Sequence, residues 1–178
     1  FERVTGYFKD GDIIYGGQCD SDTRFIEPTL IGNVPLDSPL MTEEIFGPAF
    51  PLIEIDGDGR ICGSDTDPKG SFRDAVIDFV NSREKPLAFY YFGKESDGWD
   101  VIRRTSSGGG CINDVIMHIA NENVPFGGVG NSGMGRYHDK ESFEAFSHTR
   151  SIITTGTWID LPFRYMPYKL FSLAKKIL

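Results

Sequence analysis

Leu87-Ala-Phe-Tyr-Tyr-Phe92 is a nearly continuous apolar run of strand length. Such a run is the pattern of a strand covered on both faces, because a half-solvated strand alternates apolar and polar residues. It belongs at the centre of a sheet. Helical patterns lie on either side of it. Ser71 is placed as an N-cap with Asp74 at the capping-box position, and Ala75, Val76, Phe79 and Val80 recur at helical spacing up to about Arg83, ahead of Pro86. Asp97 to Arg104 reads as a short helix closed by the Ser106 to Gly110 stretch, and Cys111 to Met117 returns as a strand. Strands alternating with helices at these lengths predict an α/β layer with a mostly parallel sheet.

Upstream, Asp12-Ile-Ile-Tyr15 and Phe25-Ile-Glu-Pro-Thr-Leu-Ile31 read as successive strands separated by Gly16-Gly17 and a polar turn. Pro28 demotes the second to an edge or a bulge, since proline cannot donate to a ladder. Ala49 to Ile55 reads as a further strand. Between these runs lies Met41-Thr-Glu-Glu-Ile-Phe-Gly-Pro48, which sets two carboxylates, an aromatic ring and a Gly-Pro turn together. A carboxylate near buried apolar residues requires a donor, because an unpaired buried charge costs several kcal/mol. A diol is one such donor. The residues alone leave two readings, a binding loop or a surface turn with solvated glutamates.

Composition fits a packed domain: 39% of residues are hydrophobic, with 14 Phe and 7 Tyr, and 25% are charged. The net charge of -8 argues against a nucleic-acid partner, since phosphate binding rests on clustered Lys and Arg. Three cysteines without paired spacing, Cys19, Cys62 and Cys111, make no disulfide framework and predict an intracellular, reducing setting, in the cytoplasm or on the cytoplasmic face of a membrane. The opening Phe1-Glu2-Arg3 is no natural start and nothing there resembles a signal peptide, so the chain is expected to continue upstream.

Three tempting motifs are set aside. Asp56-Gly-Asp-Gly59 suggests a calcium loop, but Gly59 arrives too early and the closing glutamate is absent, so no metal is expected. Gly128-x-Gly130-x-x-Gly133 matches a dinucleotide fingerprint, yet Pro125 precedes it and Gly133-Met-Gly135 prevents a helix from opening inside it. Small residues there instead allow close approach of another backbone or a ligand. A cysteine hydrolase would pair Cys111 with His118 or His138; Gly110 and Ile112 beside it suggest a buried, inert strand thiol.

Glu43-Glu-Ile-Phe-Gly-Pro48 and Pro125-Phe-Gly-Gly-Val-Gly-Asn-Ser-Gly-Met-Gly135 resemble two signature stretches of the aldehyde dehydrogenase superfamily, the second that of its class 3, fatty-aldehyde branch. Arg83-Glu-Lys-Pro-Leu-Ala88, Ser106-Ser-Gly-Gly109, Asn113-Asp-Val-Ile116 and Ser142-Phe-Glu-Ala-Phe-Ser-His148 follow in that branch's order, so the similarity covers nearly the whole chain. The resemblance implies the C-terminal portion of an aldehyde dehydrogenase catalytic domain over residues 1–149. It further implies an oligomerisation strand over 150–160 that joins a homodimer, and a C-terminal amphipathic segment over 161–178.

It also implies the chemistry. A cysteine thiolate adds to the aldehyde, hydride passes to NAD or NADP, and a base-activated water releases the carboxylic acid. That cysteine and the general-base glutamate would lie upstream, leaving no catalytic residue in this chain and the isolated chain inactive. By resemblance, Glu44 takes the nicotinamide-ribose hydroxyls and Phe46 presses on the nicotinamide ring. Ile116, Ile119, Ala120 and Phe126 would line an apolar tunnel for a medium- or long-chain aldehyde. An inactive relative that keeps the scaffold as a binding protein, or a module docking on a separate nucleotide-binding chain, are the alternatives.

Every charged side chain after Asp160 is basic. From Tyr168 on, Leu170, Phe171, Leu173, Ala174, Ile177 and Leu178 fall at helical spacing, giving a basic amphipathic helix. It is shorter than the ~20 apolar residues that span a bilayer, but could lie on a membrane surface. A helix docked on its own domain is the other reading.

Overall fold

The computed structural model describes residues 1–61, 70–158, 165–167, 172 and 175–176. The chain divides into two compact units, Phe1–Ala145 and Phe146–Leu178. The first opens with helix α1 (Glu2–Gly6) and a 3-10 turn (Tyr7–Lys9), and then enters strand β1 (Asp12–Tyr15). A short ribbon, β2 (Cys19–Asp20) with β3 (Phe25–Ile26), leads into β4 (Thr29–Gly32). Helix α2 (Pro39–Thr42) precedes β5 (Ala49–Pro51). The second half carries α3 (Phe72–Asn81), β6 (Ala88–Tyr91), α4 (Glu95–Arg104), β7 (Gly109–Ile112), α5 (Met117–Ala120) and α6 (Asp139–Ala145).

One sheet has the order β1-β4-β5, with β4 antiparallel to β1 and parallel to β5. Its core face alternates as a half-covered sheet must: Thr29 and Ile31 are buried while Leu30 between them is exposed. Ile31 packs with Val4, Tyr7, Val34, Leu40 and Ala49, so α1 and α2 close over one side of this sheet. A second pair, β6 and β7, is parallel and in register from Ala88 beside Gly109 to Tyr91 beside Ile112.

Helices α3 and α4 show why these stretches became helical. The Ser71 side chain accepts from the Asp74 N–H and the Asp74 carboxylate accepts from the Ser71 N–H, a reciprocal cap at the spacing the sequence predicts. Helix α4 carries Glu95 and Asp97 in its first turn and Arg103 and Arg104 in its last, which opposes the helix dipole at both ends. Ile77 and Val101 are buried. Ion pairs Arg73–Asp97 at 2.9 Å and Arg104–Asp74 at 2.6 Å join the two helices at their rims.

Several element boundaries differ from the sequence reading, each for a local reason. The single strand expected over 25–31 is two, because Pro28 lacks an N–H and separates the β2-β3 ribbon from the larger sheet. The strand expected over 49–55 stops at Pro51, although Leu52 N–H still donates to Ile31 O at 2.8 Å. Helix α4 starts at Glu95, before Asp97. Strand β7 starts at Gly109 and ends at Ile112, earlier at both ends than Cys111 and Met117. The glycines are strand residues because β6 lies too close for a side chain: a Cβ on Gly110 would stand 2.0 Å from Phe89 O. Asn113, with φ +58, ends the strand.

Strand β6, expected at a sheet centre, has β7 as its one neighbour among the described residues and is half-buried along its length. Residues 151–156 adopt no strand, with Ile152 and Ile153 strongly exposed. The helix expected after Tyr168 falls almost wholly outside the described residues. No helix among the described residues is long and apolar enough to cross a membrane.

Candidate functional site

The loop between α2 and β5 is held from two sides. On one side, Arg3 of α1 and Tyr7, which opens the 3-10 turn directly after it, lie four residues apart and so face the same way. The Arg3 guanidinium donates to Ile45 O at 2.7 Å and to Glu44 O at 3.4 Å, and also to the Tyr7 hydroxyl. Tyr7 O–H in turn donates to Glu43 Oε2 at 2.7 Å. Tyr7 is buried, and its phenol pKa is raised first by the Glu43 carboxylate and then by burial, so the hydroxyl keeps its proton. Beneath the loop, a Cβ on Gly47 would stand 2.7 Å from a Val4 methyl, so Gly47 permits the loop to lie on α1.

The two adjacent glutamates are thereby separated. Glu43 is the carboxylate with a donor inside the protein. Glu44 is exposed, and no hydrogen bond or ion pair among the described residues engages its carboxylate. Two residues on, Phe46 is 79% exposed with φ +44, a left-handed backbone that costs a non-glycine residue roughly 1–3 kcal/mol. A free carboxylate beside a bare aromatic ring fits a ligand with vicinal hydroxyls and a flat ring, because a carboxylate accepts two hydrogen bonds side by side.

On the other side, Arg83 in the turn after α3 donates Nη1 to Met41 O at 3.1 Å and Nη2 to Leu36 O at 2.8 Å. Its guanidinium also lies over the Phe79 ring, 4.8 Å from the centroid. The next residue, Glu84, accepts from Asn131 Nδ2 at 2.8 Å, and a Cβ on Gly108 would strike both Gly127 O and Leu87 O. The turn after α3 therefore anchors both the segment leading into the Glu44 loop and the glycine-rich loop.

That glycine-rich loop forms a 3-10 turn at Gly130–Ser132, and its glycines serve backbone contact. A Cβ on Gly127 would sit 2.2 Å from Gly135 O, and one on Gly128 would sit 2.1 Å from Ser132 O. Phe126 bridges to Tyr137 through both backbone hydrogen bonds.

The four residues nominated for an apolar tunnel are partly gathered. Ile119 and Ala120 line a cleft of about 540 Å³ with Glu122, Asn123, His138 and Asp139. Phe126 stacks on His138 at 6.1 Å and meets His118 at 5.6 Å and Tyr137 at 5.5 Å. His138 thus links the cleft to the aromatic cluster. Ile116, 58% exposed with φ +65, stands at the N-cap of α5 and is not part of that lining. Acidic side chains share the cleft, so its wall is mixed where an apolar tunnel was expected. A larger cleft, about 670 Å³, lies between α4 and β7 and contains none of the nominated residues.

Cys111 is half-buried in β7, where a buried strand thiol was expected, and its Sγ lies 3.7 Å from His118 Nδ1. The other ring nitrogen of His118 is buried without a partner, so nothing among the described residues orients it as a hydrolase base. His138 is held apart by Val124 O at 2.9 Å. The Asp56 carboxylate accepts from the N–H groups of Asp58 and Arg60, closing its own turn.

Arg3, Tyr7, Arg83 and Asn131 were not nominated as site residues from the sequence, and His138 was weighed only as a hydrolase base. Each acts across 14 or more residues, and no local pattern announces such a contact.

The aldehyde dehydrogenase family model matches residues 4–152. The chain is 43% identical over 172 residues to the 4,4'-diaponeurosporen-aldehyde dehydrogenase of Staphylococcus aureus, covering 95% of this chain and 34% of that protein. It is 43% identical over 171 residues to aldehyde dehydrogenase family 3 member B1 of Rattus norvegicus, covering 94% of this chain and 33% of that protein. Over 178 residues it is 43% identical to the dimeric NADP-preferring aldehyde dehydrogenase of Canis lupus familiaris, covering 98% and 35%. Among solved structures, the substrate-bound state of Staphylococcus aureus AldH superposes with TM-score 0.76 at 41% identity, covering 99% of this chain and 36% of that one. The chain spans about a third of the length of these relatives. A family match over residues 4–152, most of the chain, settles the assignment: this chain belongs to the aldehyde dehydrogenase family.

Proposed function

We propose that this chain forms the cofactor-ring and aldehyde-binding floor of an NAD(P)-dependent aldehyde dehydrogenase of class 3 type. The observation that carries the reading is the pairing of Glu44 and Phe46: an unengaged carboxylate and an exposed, left-handed aromatic on a loop held at Ile45 by Arg3 and entered from a helix held at Met41 by Arg83. Glu44 accepts the two ribose hydroxyls. Phe46 supports one face of the nicotinamide ring and limits its rotation. When bound, NAD or NADP supplies the hydride acceptor for aldehyde oxidation. The NADP-preferring dog relative supports a nicotinamide cofactor without choosing between the two.

Ile116, Ile119, Ala120 and Phe126 contribute apolar surface for a medium- or long-chain aldehyde, with the nucleophilic cysteine and general-base glutamate supplied from outside these residues. The isolated chain is inactive for that reason. Residues 150–160 join a homodimer, in keeping with the exposed Ile152 and Ile153 and with the dimer named for the dog relative. Residues 161–178 touch an anionic membrane surface through their lysines.

The test is Glu44→Gln in a full-length enzyme carrying this chain. The Michaelis constant for cofactor should rise about tenfold or more, since hydrogen bonds to a charged acceptor contribute about 1.5–3 kcal/mol. Unchanged cofactor kinetics would remove the ribose assignment.

A further inference from the structure

We propose that Tyr7 is a positioning residue for cofactor binding, which captures Glu43 and so leaves Glu44 alone to face the ligand. This rests on the reading of Glu44 as the ribose acceptor and adds the device that tells two neighbouring, chemically identical side chains apart.

The geometry is specific. Consecutive residues of an extended loop project their side chains in opposite directions, and Glu43 is extended, with φ -102 and ψ 156. Fixing one of the pair therefore fixes the other. Glu43 is fixed by a phenol 2.7 Å from its Oε2. That phenol is itself held, because Tyr7 is 3% exposed in the main core cluster and accepts from Arg3. The chain of donation runs from guanidinium to phenol to carboxylate, and hydrogen bonds in such a series polarise one another. The same guanidinium binds Ile45 O, on the far side of Glu44. Residues 43 and 45 are tied to the 3-10 turn and to α1 respectively, while the carboxylate between them is not. A loop lacking the Tyr7 hydroxyl would let either glutamate swing outward.

The experiment uses the full-length enzyme. Tyr7→Phe keeps the ring in the core and removes only the hydroxyl. It should raise the Michaelis constant for cofactor about three- to tenfold, leave kcat at saturating cofactor within about twofold, and leave the aldehyde constant unchanged. Glu43→Ala should give the same pattern, and the double variant should be no worse than either single one, since both remove one contact. Glu43→Gln retains an acceptor for the phenol and should lose less than Glu43→Ala. In a Glu44→Gln background the Tyr7→Phe effect should vanish. If Tyr7→Phe leaves the cofactor constant unaltered while Glu44→Gln raises it, Tyr7 is a core residue only and the proposal is overturned with the ribose reading intact. If Glu44→Gln is silent, the ribose reading falls and the proposal with it. Additive effects of Tyr7→Phe and Glu43→Ala would also overturn it.

Discussion

Arg83 and Met41 meet through a hydrogen bond of 3.1 Å, Nη1 to main-chain oxygen, across 42 residues of sequence. The second arm of the same guanidinium reaches Leu36 O at 2.8 Å, so one planar fork spans both ends of the segment that leads into the Glu44 loop. A lysine cannot reproduce this, because its ammonium is a point donor on a flexible stem.

Arg83→Lys should therefore lower the stability of the folded chain by roughly 1.5–3 kcal/mol, the range for hydrogen bonds from a charged donor. The urea midpoint of the purified protein measures it. A midpoint equal to that of the parent would show that the fork is dispensable.

Asp74 gives a pH-dependent prediction. The Arg104 side chain first, and then the Ser71 hydroxyl and N–H, hold its carboxyl below its ordinary 3.8, at about 2. A depressed folded-state pKa contributes stability that is complete above the unfolded value and is lost as pH falls through the folded one. The contribution should thus disappear between about pH 3.8 and 2. In Asp74→Asn, the melting temperature should depend less on pH in that window and be lower than the parent's at pH 7. Parallel curves for the two proteins from pH 4 to 2 would mean that the cap is unlinked to protonation.

Glycine positions separate the crowded from the free. At Gly128 a Cβ would lie 2.1 Å from Ser132 O, whereas at Gly57 nothing lies within 4 Å. Gly128→Ala should displace the glycine-rich loop, broadening or shifting the thermal transition and raising the aldehyde Michaelis constant of a full-length enzyme. Gly57→Ala should stay within about 0.5 kcal/mol of the parent, as surface substitutions away from special features do. Equal melting curves for both variants would contradict the packing described for the loop.

What the sequence revealed was local in character. The Ser71–Asp74 cap needs only a three-residue spacing, and it appears where that spacing puts it. The close approach in the glycine-rich loop was likewise legible, because the absence of side chains at 127 and 128 leaves few other uses for that backbone. Strand limits were less legible. Pro28 and Pro51 alter the ladder on only one side, and whether Gly108 to Gly110 end a helix or begin a strand depends on Phe89, 21 residues from Gly110. At the candidate site, the pattern around Glu44 and Phe46 marked the loop itself. The Arg3 and Tyr7 clamp was invisible because it joins residues 36 to 42 positions apart, where no periodicity operates. The polar share of the Ile119 cleft was missed for a similar reason, since His138 and Asp139 enter from a later turn.

Phe46 and Ile116, with φ of +44 and +65, hold backbones that bulky side chains rarely adopt. Anyone engineering this protein for heat resistance by relaxing unfavourable dihedrals would select these two positions early, replacing them with glycine or asparagine. Under the roles proposed above for these two side chains, such a programme would trade away ring and aliphatic surface meant for the ligand in return for a more durable fold.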